Sequence, residues 1–284
     1  MTAPLYIGFD TRYATRLVSS PERAEHVACL LVDPRWPWPP MSLTTGITGN
    51  FTKRTRTRRV AGPSGQKRIL ESILDPVTRV IELSCYSVDA KNYAHTRVQT
   101  GTHALSSWEQ PFKADGQTRA HDLPDGKTIE DWIALLHELM VTLDVASAIV
   151  PLYETADAVL ADTSLISIVR DSRWTGRTDL GPGEEFSEQN RRANYWCDLL
   201  GATYVRNARW GTYLRDHHVE AIGGLDRIRR EVDPARVTVL GPLTYFQLTE
   251  TVDEGLTDAC EAKRRAFDVL LAPILPPPVP PHTP

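Results

Sequence analysis

The sequence predicts an α+β fold, a mixed, largely antiparallel sheet packed against several helices. Three observations lead to it. Apolar residues recur at helical spacing in some segments and alternate at strand spacing in others. These segments follow one another without the regular strand–helix–strand rhythm of a parallel sheet, and no repeat of roughly 20–50 residues is present. The chain has 284 residues, 41% hydrophobic and 24% charged, which suits an ordinary globular protein with a substantial core. We expect one domain over 1–275 and a proline-rich tail over 276–284.

Leu5 to Phe9 is a short apolar run suited to a strand. Ser20-Pro21-Glu22 reads as a helix start: a hydroxyl cap, proline at the first helical position, then an acid. That helix should turn Ala24, Val27, Ala28 and Leu31 inward and end before Asp33-Pro34. Trp36-Pro37-Trp38-Pro39-Pro40 is neither helix nor central strand, because proline lacks a donor and restricts its predecessor. It is either a loop pinned to the core by its rings or a partner-binding edge. Residues 53–59 hold five basic side chains in seven, alternating with threonine. An exposed strand or sheet edge fits this pattern, and a phosphate-binding arm is the alternative. Gly62 to Gly65 reads as a turn, and Gln66 to Leu74 as a short helix.

Val77 to Val88 is rich in β-branched residues and is a strand, with His95 to Gln99 as its hairpin partner. Trp108 to Gly126 reads as loop. Thr128 followed by Glu130 and Asp131 caps a helix whose Trp132, Leu135, Leu136, Leu139, Met140 and Leu143 recur at core spacing. Val145 to Leu152 is a strand. A short helix over 155–160, a strand over 165–169 and a helix over 187–200 are expected next. Tyr204 to Trp210 reads as a strand, and Leu225 to Val232 as a short helix. Arg236–Leu240 and Leu243–Leu248 form a hairpin through Gly241-Pro242. Thr257 to Leu271 is a final helix with Leu256, Cys260, Phe267 and Leu271 inward. Residues 276–284 contain six prolines in nine and should be extended.

Composition narrows the function. The formal net charge is -4, so no global basic field points to direct nucleic-acid binding. No window approaches the ~18 apolar residues of a membrane span, and the N-terminus has no signal-peptide pattern. A cytoplasmic protein is expected. Cys29, Cys85, Cys197 and Cys260 are far apart and form no zinc-type spacing. No phosphate-binding glycine loop, nucleophile elbow or zinc-protease motif occurs, and no cofactor is expected. His121, Asp122 and Asp125 make a small polar group on a loop. Asp162, Asp171, Asp179, Glu184 and Glu185 suit a solvated acidic face or, more sharply, a protein-binding one.

The richest segment is Tyr204 to Gly224, YVRNARWGTYLRDHHVEAIGG. Asp216-His217-His218 matches the metal-binding triplet of the DHH phosphoesterases, in which adjacent Asp and His residues hold hard divalent ions. Arg215 would place a positive charge beside those metals, and the further aspartates such a site needs are missing upstream. Asp216 serves more simply as an N-cap. The metal-dependent phosphoesterase remains the alternative reading.

With its flanks, the segment resembles the immunity-52 family of bacterial polymorphic-toxin systems, related to type VI secretion immunity proteins. The carrying residues are Trp210-Gly211, Leu214, His218-Val219 and Gly223-Gly224, followed by the hairpin strand Tyr245 to Thr249 and the helix ending Leu270-Leu271-Ala272-Pro273. The likeness spans 196–273. It implies a non-enzymatic α+β protein that binds and neutralises a cognate toxin, often a nuclease of the restriction-endonuclease fold. Trp210, Gly211, Leu214, His218, Gly223 and Gly224 would be structural signature residues. Asp179, Glu184 and Glu185 are the sequence's candidates for toxin contact, since an acidic face complements a basic nuclease cleft.

Overall fold

A computed structural model of the chain describes residues 6–13, 20–37, 40, 42–46, 54–60, 64–75, 78, 80–86, 93–99, 112–120, 123–153 and 203–277. The fold is α+β, as its patterning predicts. Cα packing divides the chain into two compact units, Met1–Ala148 and Ile149–Pro284, where the sequence suggested one domain over 1–275.

The first unit is a largely antiparallel sheet with helices packed beside it. Its elements are β1 (Tyr6–Tyr13), α1 (Pro21–Leu31), β2 (Ser42–Gly46), β3 (Arg54–Arg59), α2 (Ser64–Leu74), β4 (Val80–Tyr86), β5 (Tyr93–Gln99), β6 (Phe112–Arg119), α3 (Ile129–Leu143) and β7 (Val145–Val150), whose last two residues cross into the second unit. The strand order is β7-β1-β6-β5-β4-β2-β3. Among the described residues the basic run is therefore a strand at the sheet's edge, one of the two placements its alternation suits. Helix α1 packs against α2 and α3. The inward residues expected on α1 and α3 are all buried, and Phe9 of β1 meets Trp132 of α3 at a ring separation of 6.3 Å.

Caps behave unequally. Thr128 accepts from the Asp131 amide at 3.0 Å and closes the start of α3. Ser20 occupies the cap position of α1 but makes no side-chain bond there, so proline in the first turn sets that end. Trp36 is buried and its Nε1 donates to the Leu30 carbonyl at 2.7 Å, which makes its part of the Trp/Pro loop a pinned one. Trp38 and Pro39 lie outside the described residues.

Two expectations in this unit fail. Helix α2 begins at Ser64, two residues earlier than the turn reading of Gly62 to Gly65 allowed. A Cβ at residue 65 would overlap the Val60 carbonyl oxygen, so glycine there permits close approach inside a helix. Phe112–Arg119 is strand β6, where the sequence reads as loop. FKADGQTR has weak strand propensity, yet β6 is flanked by β1 and β5 and hydrogen-bonded along both edges. Tertiary pairing overrides local preference here.

The second unit holds β8 (Leu152–Tyr153), β9 (Gly211–Arg215), α4 (Asp216–Ala221), α5 (Leu225–Glu231), β10 (Arg236–Leu240), β11 (Leu243–Gln247) and α6 (Asp258–Leu271). A 3-10 turn over Asp253–Leu256 precedes α6 and another over Ala272–Ile274 follows it. The strand order is β10-β11-β9, all antiparallel, with the expected hairpin through Gly241-Pro242. Phe246 of β11 meets Phe267 of α6 edge-on, with centroids 5.4 Å apart, and this contact centres the unit's core. Pro276 is buried, so the folded unit reaches into the proline-rich segment. Among the described residues, no helix is long and apolar enough to cross a membrane. The segments expected over 155–160, 165–169 and 187–200 lie outside the described residues.

Candidate functional site

The segment that carries the sequence signature is not built as its reading suggested. Tyr204 to Trp210 is not a strand; the strand starts one residue later, at Gly211. The reason is the partner the backbone finds. The Val205 amide donates to the Ile274 carbonyl at 2.9 Å and the Ala208 amide to the Asp268 carboxylate at 2.7 Å. These bonds tie residues 205–208 to helix α6 and the turn after it, so no strand partner is needed. Burial raises the pKa of Asp268, opposed by the Ala208 amide and by Arg264, whose Nη1 donates to it at 2.6 Å.

Trp210 then marks the entry to β9. Its carbonyl accepts from the Leu248 amide at 2.9 Å, extending the β9–β11 ladder by one bond. Gly211 is required by crowding: a Cβ would lie 2.7 Å from the Tyr245 hydroxyl oxygen and 2.9 Å from Val150 Cβ. The Tyr245 ring occupies that space and packs on Tyr213 at a tilt of 39°, with centroids 4.6 Å apart. Burial raises the pKa of both phenols, so they remain neutral packing groups. Leu214 is fully buried.

The DHH triplet splits across the surface. Asp216 and His217 are exposed, whereas His218 is 1% exposed and packs against the His217 ring at 4.0 Å. Asp216 is the first residue of α4 and Arg215 holds the cap position, without a side-chain cap bond. The N-cap role expected for Asp216 is thus not realised. Its amide instead donates to the Pro242 carbonyl at 3.1 Å, fixing the helix start against the hairpin turn. Among the described residues, no group of three or more His, Cys, Asp and Glu side chains is placed to hold a metal ion. The glycine stop does form as expected. Gly223 and Gly224 have φ of 101° and 86°, a region open to glycine, and they end α4 and start α5.

What these residues support is a turn that the sequence reading passed over. Trp210 Nε1 donates to Thr249 Oγ1 at 2.7 Å, and that hydroxyl donates to the Thr251 carbonyl at 2.8 Å. Gln247, buried beside them, donates to the carbonyls of Thr249 and Glu250. Glu254 accepts from the Thr251 amide at 3.2 Å, and Thr257 donates to the Glu254 carbonyl while accepting from the Cys260 amide to cap α6. Gly255 lies against the Trp210 ring and Leu152, where a Cβ would come 2.9 Å from Trp210 Cδ1 and closer still to Leu152 Cδ1. The connector over 249–257 is therefore clamped from beneath by Trp210.

Its outer surface is acidic. Glu250, Asp253, Glu254 and Asp258 are all exposed, and no Lys or Arg occurs between residues 250 and 258. Arg236 reaches Glu250 at 3.6 Å from the side. Leu256, expected inward, is 46% exposed among these carboxylates. The 3-10 turn before the Thr257 cap points it away from the apolar face of α6, where Cys260, Phe267, Leu270 and Leu271 are buried. The signal was present in the sequence as four acids without a base in nine residues. What the sequence hides is the tryptophan that makes the turn rigid. Asp179, Glu184 and Glu185, the contact candidates named from sequence, lie outside the described residues, as do His121 and Asp122.

No family model matches the chain, and no curated protein matches it. Among solved structures, it is similar to "Pseudomonas aeruginosa T6SS protein PA0821", with a TM-score of 0.55 and 9% sequence identity, over 96% of this chain and 73% of that one. At that identity the likeness is one of fold, and the chain shares the overall α+β fold of that type VI secretion protein.

Proposed function

We propose that this chain is a non-enzymatic immunity protein that binds a cognate bacterial toxin and neutralises it by covering its active site. The toxin is a nuclease of the restriction-endonuclease fold, and the complex forms in the cytoplasm, where that nuclease's substrate lies. Three things support the reading. Trp210-Gly211, Leu214, His218 and Gly223-Gly224 resemble the immunity-52 signature. The fold resembles that of a type VI secretion protein. The single observation that carries the reading is the acidic turn over 250–258 held rigid on Trp210.

A nuclease cleft is lined by cations that meet phosphates, so fixed carboxylates at matching spacing compete for it. Rigidity matters as much as charge. A turn already ordered in the free protein loses little conformational freedom on binding. Leu256 offers an apolar contact among the acids, and the surface over Asp179, Glu184 and Glu185 would extend the face. A stable complex requires about 1,600 Å² of total buried surface, so the turn is one part of a larger contact.

Co-expression with the neighbouring toxin gene provides the test. The chain should restore growth and co-purify with the toxin, and Glu250→Lys with Asp253→Lys should abolish both without altering the melting temperature. Failure of the parent chain to protect or to co-purify rejects the assignment. Full protection by the double variant rejects the turn as the contact.

A further inference from the structure

Strand β10 is the end strand of the second unit's sheet among the described residues. Edge strands of natural proteins are ordinarily blunted by inward charge, proline or a bulge. Over Val237–Leu240 this strand has none of these, and its register with β11 runs without a shift. Val239 is 61% exposed.

The register shows which backbone groups face outward. Leu240 and Leu243 flank the two-residue turn Gly241-Pro242 and close it as a hydrogen-bonded pair. Opposite residues alternate between bonded and non-bonded pairs. Thr238 with Tyr245 and Arg236 with Gln247 are therefore bonded pairs, while Val237 and Val239 turn their N–H and C=O groups away from β11. The β9 side has the complementary parity, since the Leu248 amide reaches the Trp210 carbonyl.

We propose that this edge receives β10 of a second copy of the chain, antiparallel, about a two-fold axis through Thr238. Val237 then bonds Val239 of the second copy, and Val239 bonds its Val237, giving four backbone hydrogen bonds. The two Thr238 residues oppose one another as a non-bonded pair. The two Arg236 side chains fall at opposite ends of the joint, each across from an apolar Leu240, so no like charges are opposed. Each Arg236 also keeps Glu250 beside it. The two β10 strands thereby join the sheets of the two copies edge to edge. The strand is short, so the contact is smaller than the standard ~1,600 Å² interface and the dimer is reversible and concentration-dependent. The inference is independent of the toxin-binding reading, because it concerns the purified chain alone.

Sedimentation velocity across the micromolar range should show a monomer converting to a dimer. Thr238→Cys should form a covalent dimer on oxidation well above the level of the parent chain. The opposed Cα atoms would be about 4.5 Å apart in a non-bonded pair, inside the disulfide range. Val239→Cys should not, because its two copies are staggered by two residues. Val239→Pro removes only an outward-facing amide, a position that tolerates proline on an edge, and should leave a folded monomer. Val239→Lys should do the same by charge. A parent chain that stays monomeric throughout, as it would if the edge served a strand of a different protein, overturns the proposal. So does equal crosslinking of the two cysteine variants.

Discussion

Two buried tryptophans, Trp36 and Trp210, pin two loops by different means. Trp36 donates to the Leu30 carbonyl six residues earlier, so it fastens the loop to the end of the helix it has just left. That carbonyl also accepts from the Asp33 amide at 3.2 Å and keeps one bond without the ring. Trp210 donates to Thr249, 39 residues later, and the hydroxyl passes the bond on to the Thr251 carbonyl. The local pin closes a helix end. The distant one is a relay that holds an exposed acidic turn in a single shape, so only the second ties buried packing to a surface.

The sharpest way to break the comparison is truncation of each ring. Trp36→Ala and Trp210→Ala should each cost about 3–5 kcal/mol, the usual loss for a buried aromatic, read from denaturant unfolding. Only Trp210→Ala should also lose toxin protection beyond its unfolded fraction. Equal loss of protection in both would remove the distinction.

A smaller effect sharpens the relay. Thr249→Val strands both the indole N–H and the Thr251 carbonyl and should cost about 1–3 kcal/mol. Amide exchange should rise at Thr251, Gly255 and Thr257 while the β9–β11 amides stay protected. Trp36→Phe should cost less, about 0.5–1.5 kcal/mol, because the Leu30 carbonyl retains the Asp33 amide. A larger penalty for Trp36→Phe than for Thr249→Val would reverse the assignment of local and relayed pins.

The smallest effect concerns pH at the helix that follows the turn. Hydrogen bonds from Arg264, against some burial, and then from Arg265 hold the Glu261 carboxyl down at about 2. A lowered folded value stabilises above the unfolded carboxylate range and is lost as pH falls toward about 2. The side chain is 40% exposed, so screening keeps the contribution below about 1 kcal/mol. Glu261→Gln should lower stability at neutral pH and match the parent chain near the acid limit. A difference that grows as pH falls would contradict the ion pairing.

Much of the fold was legible wherever pattern and partner coincide in sequence. Helix α3 carries its cap, its acids and its apolar stripe within one continuous segment. The hairpin of β10 and β11 is marked by Gly241-Pro242 between two alternating runs. Strand β6 was not legible, because its own residues disfavour a strand and its stability comes from neighbours on both edges. The residues before Trp210 misled in the opposite sense, having strand composition but bonding to α6. The triplet Asp216-His217-His218 looked like one chemical unit, yet a helix start sends its side chains to different environments.

By itself the sequence determined the α+β class, the capped helix α3 and the hairpin of β10 and β11, because periodicity, capping and turn composition are local properties. Tertiary structure alone decided that Gly211 makes room for Tyr245, that Gly255 lies on Trp210, and that the acidic turn is clamped from below. Those relations join residues tens of positions apart. Close packing at single atoms selects them, and no local pattern records it.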